Sequence, residues 1–188
     1  MSRDIHKYSA GVIPVTFFGD PIEDRLIPAM LLQVEVRQED QRHILALGPF
    51  AGKKEPQDRH SPVITATREF IEETCNLFEW DDVLERVQYA ADHGHYIYHS
   101  YAKMYLFFIT ISYDETLPDR YLECNPQGHG EILWYSVDRY FLAPHRIRYF
   151  REGQVIKPLG YMQEIMGSDA FANELWSIVS QFEDTFRY

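Results

Sequence analysis

Three glutamates, Glu69, Glu72 and Glu73, point most directly to chemistry by type and spacing. On a helix they stand at i, i+3 and i+4, so three carboxylates leave one face. At about 6 Å separation and an effective dielectric near 20, each pair repels by roughly 2–3 kcal/mol before screening. Such a cluster needs a cation, protons or full exposure to water. Oxygen-only ligands suit hard divalent ions, magnesium first and manganese as its substitute. The plainer alternative is a solvated acidic face with Arg68 as a salt-bridge neighbour. A second candidate set, His93, His95 and His99, shares strand parity and would suit zinc, but no cysteine stands near to complete it.

The elements that must position the glutamates can be read on both sides of them. Ser61-Pro62 is a good helix start: a capping hydroxyl, then a residue whose missing N–H costs nothing at the first helical position. Val63, Ala66, Phe70, Thr74 and Leu77 form an apolar or small stripe that can dock on a core. The helix should stop near Cys75-Asn76, because Asn tolerates the left-handed conformation. Upstream, His43–Leu47 is a short strand that leads through Gly48-Pro49-Phe50 into the loop at Ala51.

The stretch Gly52–Leu77 resembles the box of the Nudix hydrolases, G-x5-E-x7-R-E-U-x-E-E-x-G-U with U a bulky apolar residue. Gly52 matches the opening glycine, and Lys53 and Glu55 fit the lysine and acidic residue that often follow it. Arg68, Glu69, Phe70, Glu72 and Glu73 match the centre residue by residue. There are three departures. Two extra residues lie between Gly52 and Arg68. The early glutamate is missing, since counting back from Arg68 places His60 there with Asp58 the nearest carboxylate. Cys75-Asn76 replaces the closing glycine. The resemblance implies an α/β/α sandwich with a mixed β-sheet and magnesium-dependent cleavage of a phosphoanhydride in a nucleoside diphosphate derivative, a pyrophosphohydrolase activity. It also implies that Glu72 and Glu73 are direct metal ligands, that Glu69 completes the site or accepts a proton from water, and that the Ala51 carbonyl reaches the metal. Arg68 would orient the glutamates, with Gly52 and Lys53 at the substrate. Glu131, in the strand beyond the box, is the candidate for a further general base or an extra metal ligand. The alternative is a nucleotide-binding or regulatory module of the same fold in which the altered box has cost catalysis.

A chain of 188 residues, 45% hydrophobic, fits one domain over residues 1–188. The net charge of −11 argues against long nucleic acids as partners and leaves a small nucleotide-type substrate as the expectation. Two cysteines make no disulfide framework, and neither an apolar leader nor a membrane-length apolar run is present. Cytoplasmic residence, with no membrane partner, follows as the expectation.

In chain order, Tyr8–Phe18 reads as a strand, with a turn at Gly19-Asp20-Pro21 and a connection over 22–25. Met30–Val36 is a second strand, followed by a turn over Gln38–Gln41. Beyond the box helix, Glu79–Glu85 reads as a polar connection or a helical turn, and Val87–Ala91 as a strand. His93–Tyr101 reads as hairpin, and Lys103–Ile111 as a central strand. Asp114–Gly130 is rich in turn residues, Gly128 among them, and reads as a lid or specificity loop. Glu131–Tyr135 is a strand that runs into a short capped helix from Ser136. Residues 144–167 carry His145, Arg146, Arg148, Arg151 and Lys157, which would contact a phosphate or balance charge. A helix over 168–186 buries Phe171, Leu175, Ile178, Val179 and Phe182, with Trp176, in the core, or makes a homodimer contact.

Overall fold

The computed structural model describes residues 7–20, 25–39, 42–126, 130–142, 147–151 and 153–186. Pro21, residues 22–24, the Asp40-Gln41 turn tip, Gly128, His145, Arg146 and the Phe182 side chain, all part of the expectations above, lie outside what it describes. The elements are β1 (Ser9–Asp20), β2 (Arg25–Glu39), β3 (Arg42–Gly48), β4 (Phe50–Lys53), a 3₁₀ turn (Pro56–Asp58), α1 (Pro62–Glu73), α2 (Trp80–His93), β5 (Tyr96–His99), β6 (Met104–Thr110), α3 (Leu117–Cys124), β7 (Glu131–Ser136), α4 (Val137–Leu142), β8 (Tyr149–Arg151), β9 (Gln154–Ile156), α5 (Tyr161–Met166) and α6 (Asp169–Phe186). They form two compact units, Met1–Ile13 with Phe50–Ile109, and Pro14–Pro49 with Thr110–Tyr188.

In the first unit β4 lies antiparallel on the start of β1, with Ala10 opposite Gly52 and Gly11 opposite Ala51. Gly11 must be glycine here, because a Cβ would drive into the Ala51 side chain and the Phe50 carbonyl. β5 and β6 make an antiparallel hairpin with Tyr96 opposite Phe107, and the Ser9 N–H donates to the Lys103 carbonyl at 3.0 Å. Helix α1 docks on β4 and α2. Its Phe70 is fully buried and meets Phe50 edge to face, centroids 5.1 Å apart, with Phe78 at 4.9 Å. Burial of each such ring contributes about 1.5–3 kcal/mol, which fixes α1 firmly over β4.

Helix α2 corrects an expectation. The connection or helical turn over 79–85 and the strand expected over 87–91 are one 14-residue helix, Trp80–His93. Val83, Val87 and Ala90, at i, i+4 and i+7, are its buried stripe; Asp81 and Asp82 suit its first turn; Gly94 closes it at φ 78°. Reading the segment in two pieces hid that period.

In the second unit β2 pairs antiparallel with the later part of β1 (Val15 opposite Met30), with β3 (Val36 opposite Leu45) and with β7 (Leu32 opposite Leu133). Here the Ile111 N–H donates to Val15 at 2.9 Å. This bond and the Ser9–Lys103 bond advance together along both chains, so β1 and β6 are parallel among antiparallel neighbours and the sheet is mixed. The fold class is α/β, as expected.

The Asp114–Gly130 stretch is not simply a loop. Its middle is α3, with Leu117 and Tyr121 buried four residues apart. Asp114 holds its start, taking the Thr116 N–H (2.9 Å) and hydroxyl (2.7 Å), and these hydrogen bonds keep its carboxyl below the ordinary range. Pro118 sits in the first turn, where it favours a helix rather than breaking one. The β8–β9 hairpin and α5 were unforeseen, being too short for any period to show. Helix α6 starts as expected, with Ser168 Oγ accepting the Phe171 N–H at 3.2 Å, and it buries Phe171, Leu175, Ile178 and Val179. Trp176 departs from expectation: it is 56% exposed and meets Phe141 edge to face. No helix among the described residues is long and apolar enough to cross a membrane.

Candidate active site

The site is built from β4, the 3₁₀ turn and α1, all in the first unit. Ser61 caps α1 through its Oγ, which accepts the Ile64 N–H at 3.4 Å, and Pro62 opens the helix. Cys75 and Asn76 end it in the left-handed region at φ 55° and 58°. These are the positions at which the resembled pattern places its glycine, so two non-glycine residues make the turn that glycine would make more cheaply.

Asp58, the carboxylate nearest to the place of the missing early glutamate, is the centre of the arrangement. The side chain is fully buried. Its Oδ1 accepts from Arg68 Nε at 2.9 Å; its Oδ2 accepts from Arg68 Nη2 (3.0 Å), Thr65 Oγ1 (2.8 Å) and the Glu55 N–H (2.8 Å). Burial pushes the Asp58 pKa up, but the hydrogen bonds from Arg68, the Glu55 backbone and Thr65 outweigh burial and hold it below the ordinary value. The two-pronged contact is the strong form of the Arg–carboxylate pair. Counted forward from Gly52, Asp58 falls where the pattern G-x5-E places its early acid. The two surplus residues are Arg59 and His60, both left-handed at φ 50° and 63°. They bulge between Asp58 and the Ser61 cap without disturbing either. Counting back from Arg68 lands on His60 with Asp58 nearby, whereas counting forward from Gly52 lands on Asp58 itself.

Arg68, thus anchored and 7% exposed, gathers the acids. Its Nη2 donates to the Lys53 carbonyl (2.9 Å) and lies 2.9 Å from Glu69 Oε1, while Nη1 donates to Glu72 Oε2 at 3.0 Å. Glu55 Oε1 stands 4.0 Å from Nη1. The hydrogen bonds to Asp58 push the Arg68 pKa further up, so the guanidinium is a permanent charge. Glu69 carries the opposing tension: burial raises its pKa, Arg68 lowers it, and burial prevails. Its carboxylate lies so close over Gly52 that a Cβ there would collide with it. Gly52→Ala is therefore expected to shift the flexible end of Glu69 and leave the backbone alone. It should change the melting temperature little and lower any activity that uses Glu69 by about a hundredfold, the scale set by misplacing a reacting group by an ångström. Thermal melts and turnover measured side by side check it.

Of the residues named from the sequence, Ala51, Gly52, Lys53, Arg68, Glu69, Glu72 and Glu73 all lie on β4, its end or α1. The β1–β4 ladder bonds fall at Tyr8 with Lys54 and, by alternation, at Ala10 with Gly52, which turns the Ala51 carbonyl away from β1. Glu72 is exposed and Glu73 half-buried. Glu131 opens β7 in the second unit, where Arg151 Nη1 stands 3.6 Å from its Oε2 and its Oε1 is buried without a hydrogen-bond partner among the described residues. Histidines 93, 95 and 99 do not share a strand. His93 ends α2, its Nδ1 2.9 Å from the Tyr89 carbonyl, and His99 ends β5, its Nδ1 accepting the Ala102 N–H. The zinc reading fails on that geometry.

Among the described residues no three His, Cys, Asp or Glu side chains converge as a metal site; Glu69 and Glu72 are turned to Arg68. The donor chemistry nevertheless fits a hard divalent ion: three carboxylates on one turn of helix, a desolvated Glu69, and a glycine that leaves room beside it. Glu72 is the exposed partner of this pair, and Arg68 keeps buried Asp58 as its counter-charge if Glu72 turns away.

No family model matches the chain, and no curated protein does. Among solved structures, the chain is similar to a mutT/nudix family protein from Listeria innocua over 96% of this chain and 98% of that one, with a TM-score of 0.48 and 13% identity.

Proposed function

We propose that this chain is a Nudix-type, metal-dependent pyrophosphohydrolase acting on a phosphoanhydride of a small nucleoside diphosphate derivative, with magnesium as cofactor and manganese as substitute. The observation that carries this reading is Arg68, clamped by buried Asp58 and bonded to both Glu69 and Glu72. A merely solvated acidic face has no reason to bury its arginine partner. Glu69, Glu72 and Glu73, with the Ala51 carbonyl, would hold the ion, which when bound neutralises a diphosphate and lowers the pKa of water. Glu69, its pKa raised by burial, is a better proton acceptor than an ordinary carboxylate. Arg68 positions Glu69 and Glu72 rather than reacting. Lys53, at the end of β4 with its carbonyl tied to Arg68, is the candidate to meet a substrate phosphate.

The test is turnover of nucleoside triphosphates, ADP-ribose, dinucleoside polyphosphates, NADH and capped RNA with magnesium or manganese, before and after chelation. The expected result is cleavage of at least one nucleotide that stops with chelator and returns when the metal is restored. Binding without cleavage under both metals would instead identify a module that has lost catalysis.

A further inference from the structure

Strand β5 ends the sheet, with β6 on one side and no strand on the other among the described residues. Its register against β6 fixes which backbone groups face outward. The Phe108 N–H donates to the His95 carbonyl at 2.9 Å, and Tyr96, Ile97 and Tyr98 then lie opposite Phe107, Leu106 and Tyr105. In an antiparallel ladder, opposed residues alternate between hydrogen-bonded and non-hydrogen-bonded pairs. His95 and Ile97 therefore direct their backbone groups to β6, whereas Tyr96 and Tyr98 turn theirs to the open edge.

Proteins blunt an open edge with lysine, proline, a bulge or a very short strand. Of these devices β5 has only shortness: its four residues are Tyr-Ile-Tyr-His in unbroken register. Tyr96 and Tyr98 share one face, and β6 holds both rings, with centroids 5.6 Å from Phe107 and 4.6 Å from Tyr105. Such part-exposed, pre-ordered tyrosines are the side chains that protein interfaces favour. Tyr89 lies beside the strand, stacked on His93 at 3.9 Å, and Tyr101 follows in the next turn.

We propose that this edge pairs antiparallel with the β5 edge of a second copy of the chain, about a twofold axis at Ile97. Outward groups at Tyr96 and Tyr98 are self-complementary under that axis. Tyr96 meets Tyr98 of the second copy, and Tyr98 meets its Tyr96, each pair exchanging both hydrogen bonds. The two Ile97 residues oppose each other between them, and Tyr101 approaches the Tyr89–His93 stack of the other copy. Tyr89, Tyr96, Tyr98 and Tyr101 are 57, 38, 49 and 87% exposed, so at about 200 Å² per ring they offer roughly 450 Å² on each copy. A pair would cover about 900 Å² of ring surface, just under the roughly 1,200 Å² at which stable interfaces begin, which sets a weak, reversible dimer. Pairing occupies both edges, so assembly stops at two. The inference is independent of hydrolysis at α1.

Sedimentation of the full chain from about 1 µM to about 1 mM, a range that brackets a weak interface, should show a monomer–dimer equilibrium and nothing larger. Tyr98→Pro removes an outward N–H and leaves the β6 ladder whole, so it should weaken the dimer at least about tenfold. If that variant unfolds by its melting curve, Tyr98→Glu at the same exposed side chain carries the test. Trp176→Ala on α6 should leave the dimer unchanged. Ile97→Cys reads the register: in a non-hydrogen-bonded pair, with Cα atoms about 4.5 Å apart, the new thiols should form an intermolecular disulfide on mild oxidation. Tyr98→Cys, whose like thiol lies diagonally at about 7–8 Å, should not. Wild type oxidised in parallel controls for exposed Cys124. A dimer that survives both changes at Tyr98, or cross-linking by Tyr98→Cys as readily as by Ile97→Cys, would overturn the inference. So would a chain that stays monomeric throughout, which would leave the edge to an extended segment of another protein.

Discussion

Asp58→Ala is expected to destabilise the protein by about 3–5 kcal/mol, the range for removing one partner of a buried ion pair. The variant deletes the acceptor of four hydrogen bonds, two of them from Arg68, and leaves a nearly buried guanidinium without its main counter-charge. Glu69 and Glu72 remain beside Arg68, which argues for the lower half of that range. The effect should depend on pH with a definite sign. The folded-state pKa of Asp58 lies below its unfolded value, so its contribution is complete above about pH 3.9 and is lost as pH falls through the lower folded value. Urea unfolding at pH 7 should therefore separate variant from wild type widely, and the gap should close in strong acid. A gap under about 1 kcal/mol at pH 7 would mean that solvent reaches this pair.

Glu73→Gln separates the chemistry from the fold. Glu73 is half-buried on the last turn of α1, and no hydrogen bond of the Asp58–Arg68 clamp passes through it. Its replacement by the isosteric amide should leave urea unfolding within about 0.5 kcal/mol of wild type. Turnover should fall by more than about a hundredfold. Loss of the outer partners of metal ligands alone costs roughly 10–100-fold, so loss of a ligand itself starts from that level. If Glu73→Gln kept full turnover while Asp58→Ala and Glu72→Gln abolished it, the ion would have to be held elsewhere on the turn. If none of the three changed turnover, the glutamates would be the solvated face of the plainer reading.

The helix that carries the glutamates was legible because its signals are local: Ser61 as cap, Pro62 behind it, Asn76 in a left-handed end, and Phe70 in the buried stripe. The strand cores were legible for a similar reason, being long apolar runs. Helix α2 was obscured because its buried residues are few and small, Val83, Val87 and Ala90, and its exposed face is strongly polar. Helix α3 was obscured by Pro118 and by the turn residues Asn125-Pro126, which dominate the composition around a single buried pair, Leu117 and Tyr121. At the site, the placement of Glu69, Glu72 and Glu73 on one helix could be read from spacing, whereas the geometry of the clamp could not. The bond from Asp58 to Arg68 spans ten positions across a bulge, and no helical or strand period links them.

Two left-handed pairs bracket α1, Arg59-His60 before it and Cys75-Asn76 after it. Each marks a place where the chain reverses on its own backbone, outside any helix or ladder. Such points act as slack in a cable: length taken up there does not pull on what is fastened on either side. The anchors, Asp58 before the first pair and the cap at Ser61 after it, hold their stations despite the surplus residues between them. Insertion or deletion at the first of these bends would thus change the distance along the chain from Gly52 to Arg68 without altering the spacing of Glu69, Glu72 and Glu73 within α1. Spacing within α1, where each residue is tied to the next turn, has no such freedom.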